Sequence, residues 1–205
     1  MSYIGKTPTA VPLTSSDITN GIITTAKIAD DAISAAKLAA GVGGKVLQVV
    51  QTNYTTPTSM SFSAGTVTDI TGVTVNITPS STSSKILVMC RVMVECASVE
   101  IDNSMIGLKR GSTEVGGVSQ TGSRNYGITV FNINYYAQEN SRTPETSSFQ
   151  YMDSPSSTSE QTYKATFRHE GSGTLYINRT ITDDSASNSE RGTSNITVME
   201  IASWL

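Results

Sequence analysis

Residues 13–40 repeat every ten positions, and an apolar side chain returns at every fifth position. We call these apolar residues the apolar stripe; they are Leu13, Ile18, Ile23, Ile28, Ile33 and Leu38. A spacing of five matches neither the 3.6-residue period of an α-helix nor the two-residue period of a strand. One copy of such a segment cannot enclose its own apolar residues, so we expect burial against other copies of the chain. The stripe therefore predicts an elongated, oligomeric assembly.

Uncharged polar residues dominate the rest of the composition, with 29 Ser and 29 Thr against 15% charged residues. Threonine favours strands, whereas serine and glycine favour turns. Apolar runs recur throughout the second half of the chain, so we expect a folded domain there and not disorder. The net charge of −3 comes without any run of Lys and Arg, which disfavours a nucleic-acid partner.

Membrane insertion and secretion are not expected either. The chain has no run of about 18 apolar residues, and its N-terminus lacks the apolar region of a secretory signal. The two cysteines, Cys90 and Cys96, fall in one predicted strand, where their Cα atoms would lie about 20 Å apart. A disulfide needs Cα atoms within about 7 Å, so both are predicted to stay reduced, as in a host cytoplasm.

The chain is predicted to have three parts. Residues 1–12 hold two prolines among small polar residues, which suits an extended attachment arm. Residues 13–44 hold the repeat, read as a stalk of short turns and one-turn helices that ends in a glycine-rich hinge. A two-helix hairpin is the competing reading of the repeat. Residues 45–205 are predicted to form the head.

The head shows many short strand patterns separated by turn residues, which is typical of an all-β sandwich or barrel. Eight or nine strands over about 160 residues make a jelly-roll sandwich the most economical architecture. The candidate strands are Val46–Gln51, Thr66–Val67, Val73–Ile77, Lys85–Cys96, Ser104–Arg110, Ile128–Ala137, Glu160–His169, Gly173–Arg179 and Asn195–Ala202.

The longest candidate strand, Lys85–Cys96, is apolar on one face and half apolar on the other. The first face holds Ile86, Val88, Cys90, Val92, Val94 and Cys96. The second face holds Leu87, Met89, Arg91, Met93 and Glu95. A strand with one wet face should alternate cleanly, so we expect a neighbouring subunit to cover the second face. By contrast, Glu160–His169 predicts Tyr163, Ala165 and Phe167 inside, with Thr162, Lys164, Thr166 and Arg168 outside.

Few residues suggest chemistry. His169 is the only histidine and lies at a strand end, where a structural or exposed role is expected. The acidic pairs Asp30-Asp31 and Asp183-Asp184 lack the alternating oxygen ligands of a calcium loop and are interpreted as turn residues. The sequence contains no G-x-S-x-G, Walker A, C-x-x-C, H-E-x-x-H or dinucleotide-binding glycine pattern. We therefore predict no catalytic residue, no metal site and no cofactor.

Long polar loops remain as candidate binding elements. Two of them are predicted, over Gln138–Gln161 and Thr182–Ser194. Three aromatic residues, Tyr126, Phe149 and Tyr151, would offer stacking surfaces to a host-surface glycan or protein. Ordinary hairpin loops with these aromatics packed underneath are the alternative.

The repeat resembles the N-terminal region of virion structural proteins, especially tail-fibre proteins, of tailed phages that infect marine and freshwater bacteria. The similarity is carried by S-Y-I-G-K-T-P followed by I-T-T-A-K-I-A and I-S-A-A-K-L-A. The head resembles trimeric heads of such proteins with a C1q/TNF-like jelly roll. It does so through Lys85–Gly116, M-D-S-P around Asp153, T-Y-K-A-T-F-R, G-T-L-Y-I-N-R and S-N-I-T-V-M-E-I-A.

This resemblance implies a homotrimer on the surface of a phage particle. The arm would attach to other virion proteins, and the head would face outward for attachment to the host. With 205 residues the chain is short for a whole tail fibre, so a short fibre or spike and a capsid decoration (cement) protein are both compatible with it. A glycan-active enzyme on a β scaffold is a third hypothesis, weakened by the lack of a convincing pair of acidic residues. We expect no enzyme activity.

Overall fold

The computed structural model describes residues 45–97, 104–131 and 144–203, together with single positions 14, 23, 24, 26, 28, 29 and 32. The chain divides into two units, residues 1–43 and residues 44–205. The predicted arm at 1–12 lies outside the described residues. The predicted stalk at 13–44 is described only at the seven single positions, so arm and stalk both stay predictions.

The second unit is built from strands. Its described ranges contain eleven strands and no α-helix, so the expected all-β class is confirmed. In chain order the strands are β1 (Val46–Tyr54), β2 (Thr58–Phe62), β3 (Thr68–Ile77), β4 (Lys85–Ala97), β5 (Ser104–Arg110), β6 (Thr113–Val115), β7 (Thr129–Phe131), β8 (Glu145–Asp153), β9 (Gln161–Arg168), β10 (Gly173–Ile177) and β11 (Ser194–Ile201).

The strands form two antiparallel sheets. The first sheet has six strands in the order β1-β11-β4-β10-β2, and β8 pairs with β4 as well. The second sheet has five strands in the order β3-β9-β5-β6, and β7 also pairs with β5. The order of strands in each sheet differs from their order along the chain, so the connections cross between sheets. This arrangement is consistent with a β-sandwich.

The inward faces of both sheets share one hydrophobic core. All six residues of the predicted inward face of Lys85–Cys96 are buried, which confirms that prediction. From the second sheet, Tyr163, Ala165 and Phe167 on β9 are fully buried, as their alternation predicts. The outward face of β9 differs from expectation, because Thr166 and Arg168 are also buried. Arg168 is covered by Tyr126 and Asn125, which lie in the segment that follows β6.

Two strand predictions need correction. The expected strand Thr66–Val67 is wrong, because the chain turns there: Gly65 has a φ of 66°, and the Thr66 amide donates to the Ser63 carbonyl. Strand β8 was expected to be part of the loop Gln138–Gln161. Instead β8 pairs with β4 through nine successive residues, and this backbone pairing satisfies the hydrogen bonds of a serine-rich stretch. Strands β2 and β6 were not expected either.

A buried carboxylate holds one end of the core together. Glu200 on β11 is fully buried, and its Oε1 accepts hydrogen bonds from the amide and hydroxyl of Ser80 and from the hydroxyl of Ser84. Its Oε2 accepts a 2.6 Å hydrogen bond from the side-chain amide of Gln48 on β1. Burial by itself raises the pKa of Glu200, but these hydrogen bonds outweigh it and hold the pKa below its usual range. Glu200 therefore fastens the turn before β4 to the first sheet.

Candidate interaction surfaces

His169 is a structural residue. Its side chain is fully buried, and its ring lies beside the rings of Phe62 and Phe167, with centroids 5.5 Å and 6.4 Å away. The amide of Gly171 lies 2.8 Å from Nδ1 and donates to it, so the ring also shapes the turn that follows β9. A ring enclosed in this way cannot reach a substrate in solvent.

The acidic pair Asp183-Asp184 organises the loop between β10 and β11. The two oxygens of Asp183 accept a bidentate pair of 2.8 Å hydrogen bonds from Arg191, which hold the pKa of Asp183 below its usual range. Asp184 accepts bonds from the amide of Ala186 and the hydroxyl of Ser189. These carboxylates stabilise the loop itself, as turn residues do.

The titratable groups of the described ranges form no evident chemical site. No cluster of three or more His, Cys, Asp or Glu side chains that could hold a metal ion occurs in them. Cys90 and Cys96 are free and buried on β4, and burial raises the pKa of each thiol to about 12. A thiol with such a pKa is a poor nucleophile at neutral pH.

The outward face of β4 is covered at one end by the chain itself. Glu95 is buried, and its Oε2 accepts a 2.7 Å hydrogen bond from the amide of Ile181. Arg91 donates to the carbonyl and the hydroxyl of Thr193, and Gly192 packs directly against the sulfur of Met93. The loop between β10 and β11 therefore covers Met93 and Glu95, so no neighbouring subunit is needed there.

The other end of the same face carries four apolar side chains in one row. Strand pairing places Val49 of β1 beside Met199 of β11, Met199 beside Leu87 of β4, and Leu87 beside Met152 of β8. We call this row the apolar band. Val49 is 55% exposed and Met152 is 47% exposed, while Leu87 and Met199 are half-buried. A continuous apolar row across four strands is typical of an interaction surface.

Further apolar side chains extend the surface at its β1 edge. Val46 and Leu47 are both about half exposed, and the register of β1 with β11 shifts between Val46 and Gln48. On the opposite flank the next row mixes Met89 with uncharged polar side chains, among which Gln51 donates to the hydroxyl of Thr197. A cation also flanks the band: the exposed Lys85 lies on the same face two residues before Leu87, and its Nζ donates a 2.7 Å hydrogen bond to the hydroxyl of Ser154.

Two residues of the apolar stripe are described. Ile23 is 53% exposed and Ile28 is 38% exposed. The other four, Leu13, Ile18, Ile33 and Leu38, lie outside the described residues. The two described members thus present large apolar side chains that the chain leaves accessible.

The three aromatic residues singled out for binding lie in different settings. Phe149 and Tyr151 lie on strand β8 and not on a loop, and both pack against the hydrophobic core. Their alternation on β8 turns them inward, so the loop position expected for them was wrong. Tyr126 does lie in a loop, in the long segment between β6 and β7.

Tyr126 lines a groove of about 400 Å³ beside β5 and β6. The groove runs under the loop segment that follows β6, and its charged lining consists of Glu114 alone. The guanidinium of Arg168 stacks 4.4 Å from the centre of the Tyr126 ring. The phenol of Tyr126 donates a long, 3.4 Å hydrogen bond to Glu114.

Neither surface could have been read in full from the amino-acid sequence. The apolar band joins residues that are far apart in the sequence, such as Val49 and Met199, and only strand register brings them together. For Glu114, which also lines the groove, the sequence contains no indication of this position. The sequence indicated the band in one way only, because the second face of Lys85–Cys96 is half apolar.

Comparison with known proteins leaves the family of this chain open. No protein-family model matches it, and no curated protein matches it. Among solved structures the chain is similar to dimeric latent PorU from Porphyromonas gingivalis, with a TM-score of 0.43 and 10% identity. The match covers 76% of this chain and 13% of that one, and a likeness this weak carries no argument about fold or function. Within the described residues, no helix has the length and hydropathy needed to cross a membrane.

Proposed function

We propose that this chain is a structural protein of a bacteriophage particle. In this proposal three copies form a short fibre or spike on the virion surface. Residues 1–12 attach to another virion protein, residues 13–44 form the stalk, and residues 45–205 form an outward-facing head of jelly-roll type. The sequence resemblance described above supplies the class of protein.

The apolar band is the observation that carries the proposal. A row of Val49, Met199, Leu87 and Met152 is costly to leave in water, at roughly 25 cal/mol for each Å² of apolar surface. The four members of the band carry no charge, so two copies of the band can meet without placing like charges of the band against each other. We therefore assign the band to the contact between heads of neighbouring copies.

The apolar stripe, which lies in the unit formed by residues 1–43, supports the same trimeric assembly. Ile23 and Ile28 expose large apolar side chains, and their five-residue spacing places the stripe members at regular intervals along the chain. Three stalks that share an axis would bury these side chains against each other. Such a stalk explains why a repeat of this kind precedes the head.

The mass of the full chain in solution tests the assembly. Size-exclusion chromatography with light scattering should give three times the 21.7 kDa of one chain. A monomer or a dimer at micromolar concentration would contradict the proposed trimer.

The position of the protein on virions tests the function. Phage particles carrying a tag after the last residue should bind gold-labelled antibody at the tail, at the outer ends of fibres or spikes. Label distributed over the capsid would instead indicate a decoration protein, and label absent from purified particles would overturn a virion role. A tag placed before residue 1 serves as the matched control, because the proposed arm would hide it.

A further inference from the structure

We propose that the groove beside Tyr126 is a binding site for a neutral sugar. The inference deepens the proposed function and rests on its outward-facing head, since it names the class of host molecule that the head would contact. The shape, the charge and the side chains of the groove each point to this ligand.

The size of the groove suits one or two sugar rings. Its volume is about 400 Å³, within the lower part of the range of small-molecule sites. Glycines line it on several sides, at Gly107, Gly117 and Gly127. These glycines let the walls of the groove pack closely, because a Cβ added at Gly107 would lie 2.8 Å from the hydroxyl of Thr166 and one added at Gly127 would lie 2.8 Å from the carbonyl of Ile106.

The charged lining of the groove favours a neutral ligand over an anionic one. Glu114 is the charged side chain among the groove-lining residues, and no Lys or Arg lines the groove. A carboxylate repels sialic acids, uronic acids and phosphate groups, whereas it accepts hydrogen bonds from neutral hydroxyls. With up to about four acceptor positions, Glu114 can bind two hydroxyls of one sugar besides its long bond to Tyr126.

The remaining polar side chains complete a set suited to hydroxyl groups. Ser119 and Gln120 line the groove and are exposed, and each can both donate and accept. A sugar hydroxyl also donates and accepts hydrogen bonds. Ser119 and Gln120 therefore complement a hydroxyl better than they complement a cationic group, which can only donate. Val118, which is 73% exposed, adds apolar surface for the carbon atoms of the ring.

Tyr126 is held in place before any ligand arrives. Arg168 stacks on its ring and donates a 3.1 Å hydrogen bond to Asn125, the residue before Tyr126. Arg168 is itself buried, so this support is rigid. A fixed aromatic ring stacks on the apolar face of a sugar with little loss of conformational entropy.

Saturation-transfer difference NMR on the full chain tests the site. The probes are the methyl glycosides of glucose, galactose and N-acetylglucosamine, with glucuronic acid as the anionic probe. We expect at least one neutral glycoside to bind in the millimolar range, and glucuronic acid to give no signal. Tyr126→Ala should abolish the signal, and Glu114→Gln should weaken binding several-fold.

Matched variants separate the groove from general effects. Tyr176 is also half-buried beneath an arginine, with Arg179 5.0 Å from its ring centre, but it lies on β10 outside the groove. Tyr176→Ala should leave sugar binding unchanged. If Tyr126→Ala shows no cooperative thermal unfolding, the variant is not folded and its lack of signal says nothing about the site. The Glu114→Gln variant then tests the site, because Glu114 is exposed and its substitution should leave the fold intact.

Three outcomes overturn the inference. These are no signal from any neutral glycoside, a signal that persists in both Tyr126→Ala and Glu114→Gln, and tighter binding of glucuronic acid. Each of them leaves the trimer mass and the virion label untouched, so failure of the sugar site is distinguishable from failure of the proposed function.

Discussion

The carboxylate of Asp153 accepts a 2.7 Å hydrogen bond from the phenol of Tyr163, which joins β8 of the first sheet to β9 of the second. The same oxygen, Oδ2, accepts a 2.6 Å bond from Arg110 on β5. Burial raises the pKa of Tyr163, and its hydrogen bond to Asp153 raises it further, so the phenol stays protonated and donating. This group fastens strand β8, and with it the apolar band, to the opposite sheet.

Asp153→Asn should destabilise the fold. The variant leaves Arg110 without its carboxylate partner, and we expect the free energy of unfolding to fall by about 2–4 kcal/mol. Urea denaturation followed by circular dichroism measures the change. Asp69→Asn is the matched control: Asp69 also contacts two cations, Lys109 and Lys164, but its side chain is 38% exposed. It should cost less than about 1 kcal/mol, and equal costs for the two variants would refute the role given to Asp153.

The hydrogen bonds of Glu200 predict a loss of stability in acid. Because the pKa of Glu200 is lowered by folding, its contribution is present above its ordinary pKa of 4.5 and is lost as the pH falls through the lower folded value. Glu200→Gln should destabilise the protein at about pH 7 by about 1–3 kcal/mol, and the gap to the original chain should narrow toward about pH 3.

Urea denaturation at both pH values gives this comparison. Ser81→Ala is the control, because Ser81 lies in the same turn and its hydroxyl bonds to Ser83 and not to Glu200. It should leave the pH dependence as it is. A Glu200→Gln variant whose gap stays constant across this range would show that the carboxylate is not the group responsible.

How far the sequence predicts the fold depends on where each contact comes from. The alternation in Lys85–Cys96 and around Tyr163 reports burial locally, so both inward faces could be predicted. Strand β8 could not, because its serines and the prolines beside it resemble loop chemistry, and β4 supplies its pairing from far along the chain. The apolar band and the groove depend on register and on loop placement, which single-residue patterns do not carry.

Gly72 should tolerate no side chain. It lies on β3 with a φ of 78°, where the register with β9 shifts, and an added Cβ would overlap the ring of Tyr54. We expect Gly72→Ala to lower the free energy of unfolding by about 2 kcal/mol or more. Gly65→Ala is the control, because Gly65 has a φ of 66° but no atom within 4 Å of an added Cβ. It should cost only about 1 kcal/mol, for the backbone alone.

A second background isolates the overlap with Tyr54. In a Tyr54→Ala chain, the additional cost of Gly72→Ala should fall to that of Gly65→Ala, because the ring is gone. Thermal or urea unfolding of the four chains forms the cycle. Additive costs would mean that Tyr54 is not what the new Cβ meets.

The apolar band predicts that charge placed within it will weaken the assembly of the heads. Val49 and Met152 are the most exposed members, at opposite ends of the row, so Val49→Lys with Met152→Lys should leave the fold of each copy intact. Burying these ammonium groups between copies would be costly, and we expect the dissociation constant of the assembly to rise by roughly tenfold or more. Light scattering over a dilution series measures it. Val118→Lys is the control, since Val118 is even more exposed but lies outside the band, and it should leave the assembly unchanged. If the double variant assembles as tightly as Val118→Lys does, the heads do not meet through this surface.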